Sequence, residues 1–121
     1  MKKYFLRKIG IALITALTVS VSFAQSYPNR PVRVIIPFPP GGTLDAVGRM
    51  LAQKLSEQMG QPFVIENKPG GNGIIGADLV AKAPSDGYTL LFNASTFTSA
   101  PMTMKQVPYS VGKDFAPIAL V

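Results

Sequence analysis

Two glycine-rich loops constrain this chain more than any other feature, because each separates a short apolar run from a segment with helical spacing. The first, Pro37-Phe38-Pro39-Pro40-Gly41-Gly42-Thr43, follows the β-branched run Val32–Ile36. The second, Asn67-Lys68-Pro69-Gly70-Gly71-Asn72-Gly73-Ile74-Ile75-Gly76, follows Phe63–Glu66. Apolar residues at Leu44, Val47, Leu51, Leu55 and Met59 predict an amphipathic helix over Leu44–Met59. Thr43 is its expected N-cap, Asp45 can pair with Arg49 one turn on, and Gly60 and Pro62 end it. A second helix is expected over Ile74–Ala83, with Ile75, Leu79, Val80 and Ala83 on one face. Ser85-Asp86-Gly87 reads as a turn, and Tyr88–Phe92 as a third strand. Asn93–Gly112 has no clear period, and Phe115–Val121 is apolar enough for a fourth strand. Strands alternating with helices across short loops predict an α/β fold with a mainly parallel sheet. Such sheets bind ligands at the carboxyl ends of their strands, where both glycine loops fall.

Charge and residue inventory remove several function classes. Twelve Lys and Arg stand against six Asp and Glu, a formal net charge of +6. Lys2, Lys3, Arg7 and Lys8 supply four of the twelve, so residues 25–121 carry eight basic and six acidic groups, a net of only +2. A domain so near neutrality lacks the electrostatic footprint of a nucleic-acid binder. Cysteine and histidine are both absent. That excludes disulfides, thiol nucleophiles, Cys/His metal sites and histidine acid–base catalysis.

The clustered N-terminal charge has its own explanation. Basic Met1–Lys8, the uncharged apolar run Ile9–Val21 and Ser22-Phe23-Ala24 form the three parts of a secretory signal peptide. Cleavage is expected after Ala24. The apolar core is short for a membrane span of about 20 residues, which favours a cleaved signal over an anchor. The mature chain is expected to be exported and not membrane-embedded.

Chemistry in the loops points to binding. In the first, three prolines remove backbone donors, and the N–H groups of Gly41, Gly42, Thr43 and Leu44 gather at a helix N-terminus that favours an anion. A strand–helix turn in which glycine serves only geometry fits this loop equally well. The second loop contains Gly71-x-Gly73-x-x-Gly76, the letters of the dinucleotide fingerprint. The fingerprint requires a tight turn directly after the strand and an acid at the end of the next one. Here Asn67–Gly70 intervene and the next strand ends Leu91-Phe92-Asn93, so a carboxylate or amide suits the loop better than a nucleotide. Ser95, Thr96, Thr98 and Ser99 follow the third strand at the same edge, either lining a cleft or forming a turn. No serine has a nucleophile elbow or a histidine partner.

Several motifs together carry a resemblance. They are Tyr27-Pro28-x-Arg30-Pro31-Val32, Pro37-Phe38-Pro39-Pro40-Gly41-Gly42-x-x-Asp45, Ala52-Gln53-Lys54-Leu55 and Gly60-Gln61-Pro62. Glu66-Asn67-x-Pro69-Gly70, Gly76-Ala77-Asp78, Ala83-Pro84-x-Asp86-Gly87-Tyr88-Thr89-Leu90-Leu91 and Lys113–Ile118 extend them. Over Tyr27–Val121 the sequence resembles the Bug family, the substrate-binding receptors of tripartite tricarboxylate transporters. It departs from the family pattern at Ser110, where Asp usually follows Pro-Tyr, and in Pro101–Lys105, which lacks the usual aromatic residue.

The resemblance implies a three-layer, parallel-sheet domain of the periplasmic-binding-protein type. Residues 1–24 are then a signal peptide and 25–121 the N-terminal part of a first ligand-binding domain, with a second domain missing. It implies a periplasmic, non-enzymatic receptor that takes a small carboxylate and partners inner-membrane permease subunits, without cofactor or metal. Candidate ligand-binding residues are Phe38, Gly41, Gly42, Thr43, Asp45, Gly70, Gly71, Asn72, Gly73, Ser95 and Thr96. The competing expectation is an exported enzyme whose glycine loops hold a phosphate-bearing substrate.

Overall fold

The computed structural model describes residues 26–121. The expected signal peptide and its cleavage site lie outside the described residues. Strands β1 (Val32–Ile36), β2 (Phe63–Asn67) and β3 (Thr89–Leu91) form one parallel sheet in the order β2-β1-β3. β1 pairs with β2 from Val32↔Phe63 to Ile36↔Asn67, and with β3 from Arg33↔Thr89 to Ile35↔Leu91. The central strand is accordingly the most apolar, with Val32, Ile35 and Ile36 fully buried.

Helix α1 (Thr43–Met59) covers the face that carries Val32, Val34 and Phe63, where Ala52, Leu55, Ile65, Leu90 and Phe92 close the core. Helix α2 (Ile74–Ala81) packs against β1 and β3. Between β2 and α2 lies a short 3-10 turn, Gly71–Gly73. Gly60 ends α1 in the left-handed conformation (φ 70°), with its N–H on the Ser56 carbonyl at 3.1 Å. Ser56 Oγ in turn accepts the Phe63 N–H at 2.8 Å, which ties the helix end to the start of β2.

The structure corrects four sequence expectations. The N-cap of α1 is Gly42 rather than Thr43, and no side chain caps it. The helix positions buried most deeply are not the large apolar ones that the spacing favours, of which Leu44, Leu51 and Leu55 on α1 and Leu79 and Val80 on α2 are only half-buried. On α1 the buried positions are Asp45, Gly48 and Ala52, while Val47 and Met59 are exposed. On α2 they are Gly76 and Ala77, while Ile75 is exposed. Close approach explains both, since a Cβ on Gly48 would stand 2.7 Å from Ile36 Cδ1 and one on Gly76 2.7 Å from Pro37 Cβ. A third helix, α3 (Thr96–Thr103), occupies part of the stretch that has no visible period. Phe115–Val121 is not a strand. It runs irregularly past β3 without joining the ladder, and Phe115 packs edge-on against Phe97 and Tyr109 instead.

The opposite end of the sheet is closed by the chain's lead-in. Tyr27 Oη donates to the Gly87 carbonyl at 2.6 Å, and Arg30 pairs with Asp86 at 2.8 Å while lying 4.1 Å over the Tyr88 ring. Tyr88 Oη donates to Asn29 Oδ1 and accepts the Asn29 N–H. This clasp holds the segment before β1 against the turn before β3.

Candidate functional site

Parallel pairing brings the carboxyl ends of all three strands to one rim. Ile36 and Asn67 are register partners, so the loops that leave β1 and β2 start side by side. The Lys68 N–H donates to the Ile36 carbonyl at 2.8 Å and extends the ladder one step into the second loop. α3, which follows β3, packs against the Gly71–Gly73 turn and α2, and Ser95 and Thr96 stand at its start.

Fully buried Pro37 is the keel of the first loop. Beyond it Phe38 is half-buried, and Gly41, Gly42 and Thr43 are exposed. The four expected donors reduce to three, because the Gly41 N–H donates at 2.9 Å to Asp45 Oδ2. Among the described residues, the N–H groups of Gly42, Thr43 and Leu44 meet no acceptor. They point from the first turn of a 17-residue helix, the end with the positive dipole.

In the second loop, Gly71 (φ 55°), Asn72 (φ 52°) and Gly73 (φ 92°) are all left-handed. Three successive left-handed residues curl the backbone into a tight turn at the start of α2. Gly73 is buried 3.5–3.6 Å from Phe38 and Pro37 as a Cβ would measure it, and its N–H is used on the Gly70 carbonyl at 3.1 Å. The Ile74 N–H is likewise used, on the Gly71 carbonyl. Gly70, Gly71 and Asn72 keep N–H groups with no acceptor among the described residues, and Gly71 and Asn72 are exposed. At the third strand end Ser95 is exposed. Thr96 is half-buried, with Oγ1 3.4 Å from Asn93 Oδ1.

Asp45 sits behind the rim. Its side chain is 6% exposed, and Oδ2 accepts from Arg49 Nε at 3.0 Å as well as from Gly41. Oδ1 accepts from Asn67 Nδ2 at 2.9 Å. The Arg49 guanidinium, then the Gly41 N–H and the Asn67 amide, hold this carboxyl well below the usual carboxylate range. Asn67 also donates to the Phe38 carbonyl at 3.1 Å and accepts from Arg49 Nη2 at 3.0 Å. Sequence reasoning found the Asp45–Arg49 pair from its spacing but did not single out Asn67. The available signal was an amide at the last position of a strand that enters a glycine loop.

The rim offers backbone donors and hydroxyls without a nucleophile–base pair. Among the described residues no group of three potential metal ligands occurs, and no helix is long and apolar enough to cross a membrane.

The family model described as "Tripartite tricarboxylate transporter family receptor" matches residues 47–121. Curated relatives from Pseudomonas and Bordetella pertussis are 46% and 43% identical over 92% and 93% of the chain. The chain spans about a third of their length (33% and 35%). Three solved structures share the fold. The periplasmic binding protein BugD is 42% identical with a TM-score of 0.67, over 69% of this chain and 28% of that one. A Rhodopseudomonas palustris protein with adipate is 38% identical (TM-score 0.68; 71% and 29% covered). MatC from the same organism, with bound malate, is 36% identical (TM-score 0.69; 78% and 32% covered). The family model is thus described as a receptor and BugD as a periplasmic binding protein.

Proposed function

Because the chain belongs to the family of tripartite tricarboxylate transporter receptors, we propose that it forms part of a periplasmic receptor for a small dicarboxylate, delivered to inner-membrane permease subunits. The observation that carries this reading is the pairing of two loops with unengaged N–H groups at the ends of adjacent strands. Such donors can hold a carboxylate without a cationic side chain. The proposed contacts are the N–H groups of Gly42 and Thr43 in the first loop and of Gly70, Gly71 and Asn72 in the second. Phe38, Gly41 and Gly73 shape the walls, Ser95 and Thr96 lie at the margin, and Asp45 stands behind. Malate and adipate in the related structures support a ligand with two carboxylates. Export through Met1–Ala24, with cleavage after Ala24, belongs to the same proposal, and an intact Met1 on the exported protein would refute it.

Each charge-assisted hydrogen bond contributes about 1.5–3 kcal/mol, and micromolar affinity requires about 8 kcal/mol. Four or five such bonds to two carboxylate ends contribute about 6–15 kcal/mol, a range that includes this requirement. The test is calorimetric titration of the protein, as its gene encodes it, with malate and with adipate. Micromolar binding of either, at least tenfold weakened by Gly71→Val but not by Ser95→Ala, supports the reading. Absence of binding by the native protein, or an unchanged affinity in Gly71→Val, overturns it.

A further inference from the structure

The hydrogen bonds around Asp45 form a closed unit rather than a set of isolated contacts. Asn67 sits at its centre, with Nδ2 on Asp45 Oδ1 and on the Phe38 carbonyl and Oδ1 on Arg49 Nη2. Arg49 Nε returns to Asp45 Oδ2, which also takes the Gly41 N–H. The first loop is thereby gripped at Phe38 and at Gly41, on either side of the rigid Pro39-Pro40 pair. The gripping amide belongs to the last residue of β2, from which the second loop departs. A single polar cluster therefore fixes both loops relative to each other and to the first turn of α1.

We infer that Asp45, Asn67 and Arg49 are positioning residues, which hold the two loops in register so that their free N–H groups converge, and that Asp45 itself does not touch the ligand. This rests on the reading that an anion occupies the rim. Two observations separate this role from direct contact. The Asp45 carboxylate is almost wholly enclosed, and both oxygens face protein donors. Its charge is also matched by the Arg49 guanidinium at 3.0 Å, so a neighbouring anion meets a neutral pair. A carboxylate left uncompensated there would repel the ligand that the helix end attracts.

The test uses the protein as its gene encodes it, with Asp45→Asn, Asn67→Ala and the double variant. Affinity for malate and adipate is measured by calorimetry, thermal melting is recorded in parallel, and backbone order parameters are measured at Gly41–Leu44. The expected result is at least a tenfold loss of affinity in each single variant. The double variant is no weaker than the weaker single one, since residues acting as one unit are not additive. Order parameters at Gly41–Leu44 fall from rigid values of about 0.85 towards about 0.6. Tighter binding in Asp45→Asn would mean that the carboxylate faces the ligand, and would overturn the inference. So would a lower melting temperature with affinity and order parameters unchanged. If the native protein binds neither dicarboxylate, the functional reading fails separately. The order parameters then decide the positioning role alone, and unchanged values refute it. Should Asp45→Asn not fold, Asn67→Ala carries the same outcomes.

Discussion

Substituting Gly76 by alanine sets two opposed effects of similar size against each other, and the structure decides between them. Gly76 lies inside α2 and needs no positive φ, so alanine should favour the helix by about 1 kcal/mol. Against this, the added methyl would stand 2.7 Å from Pro37 Cβ, 2.9 Å from Pro37 Cα and 3.0 Å from the Lys68 carbonyl oxygen. Neither neighbour can give way. Pro37 is fully buried with its φ fixed by the ring, and Lys68 is tied to Ile36 through its N–H at 2.8 Å. Overpacking against rigid atoms costs about 1–3 kcal/mol. Three contacts at or below 3.0 Å with atoms that cannot move put Gly76→Ala in the upper part of that range, about 2–3 kcal/mol, so the expected net loss is about 1–2 kcal/mol. Gly48→Ala is the internal comparison, because its methyl meets the tip of the Ile36 side chain at 2.7 Å and the Phe92 ring at 3.1 Å. A side-chain tip can rotate, so Gly48→Ala should be clearly milder. Gly42→Ala has nothing within 4 Å and is the open-space control. Urea unfolding of the three variants, compared at constant m-value, gives the ranking. A Gly76→Ala protein as stable as the native one, or less affected than Gly48→Ala, would refute the claim that α2 is seated on the first loop by backbone contact.

Two further outcomes follow from the polar contacts. The Asp45 carboxyl is held below its ordinary value in the folded chain, so its stabilisation is complete above about pH 4, the usual unfolded value, and disappears only as pH falls through the lowered folded one. Denaturation at pH 7, 5, 4 and 3 should show a native-minus-Asp45→Asn stability difference that is flat to pH 5 and shrinks below pH 4; a difference that shrinks between pH 7 and 5 would contradict it. At the other end of the sheet, Tyr27→Phe removes the hydrogen bond to the Gly87 carbonyl and should cost about 0.5–1.5 kcal/mol; an unchanged unfolding midpoint would mean that the clasp does not hold β3.

Each regular element found from spacing has a local cause in the sequence: the β-branched run for β1, the Gly60 stop for α1, the proline that follows α2. What stayed hidden has a non-local cause. Thr96–Thr103 folds as a helix although it contains Pro101 and shows no apolar period, because it is held against α2 and the Gly71–Gly73 turn. Phe115–Val121 has the composition of a strand, but strand formation also needs a ladder partner, and Phe115 finds two aromatic rings instead. The motifs Tyr27–Val32 and Asp86–Tyr88 are both visible in the sequence. That they are partners of each other, 56 to 60 residues apart, is not. Asn67 escaped notice for the same reason, since its three hydrogen-bonded neighbours, Phe38, Asp45 and Arg49, all lie 18 or more residues away.

The Gly71-x-Gly73-x-x-Gly76 spacing carries this contrast into the site itself. Letter for letter it is the dinucleotide fingerprint, in which glycines let the backbone approach a pyrophosphate and a helix approach a strand. Here Gly73 lies against Phe38 and Pro37, and Gly76 against the Pro37 backbone. Two of the three glycines thus face the first loop, and only Gly71 is turned to the rim. The motif serves to mould one loop onto the other. Because Gly73 and Gly76 fix the second loop on Pro37 while Asn67 fixes the first on β2, neither loop can shift without the other. A ligand held by donors from both would meet a single preformed surface, and the ordering cost of bringing the two loops together would already be met in the folding of the sheet.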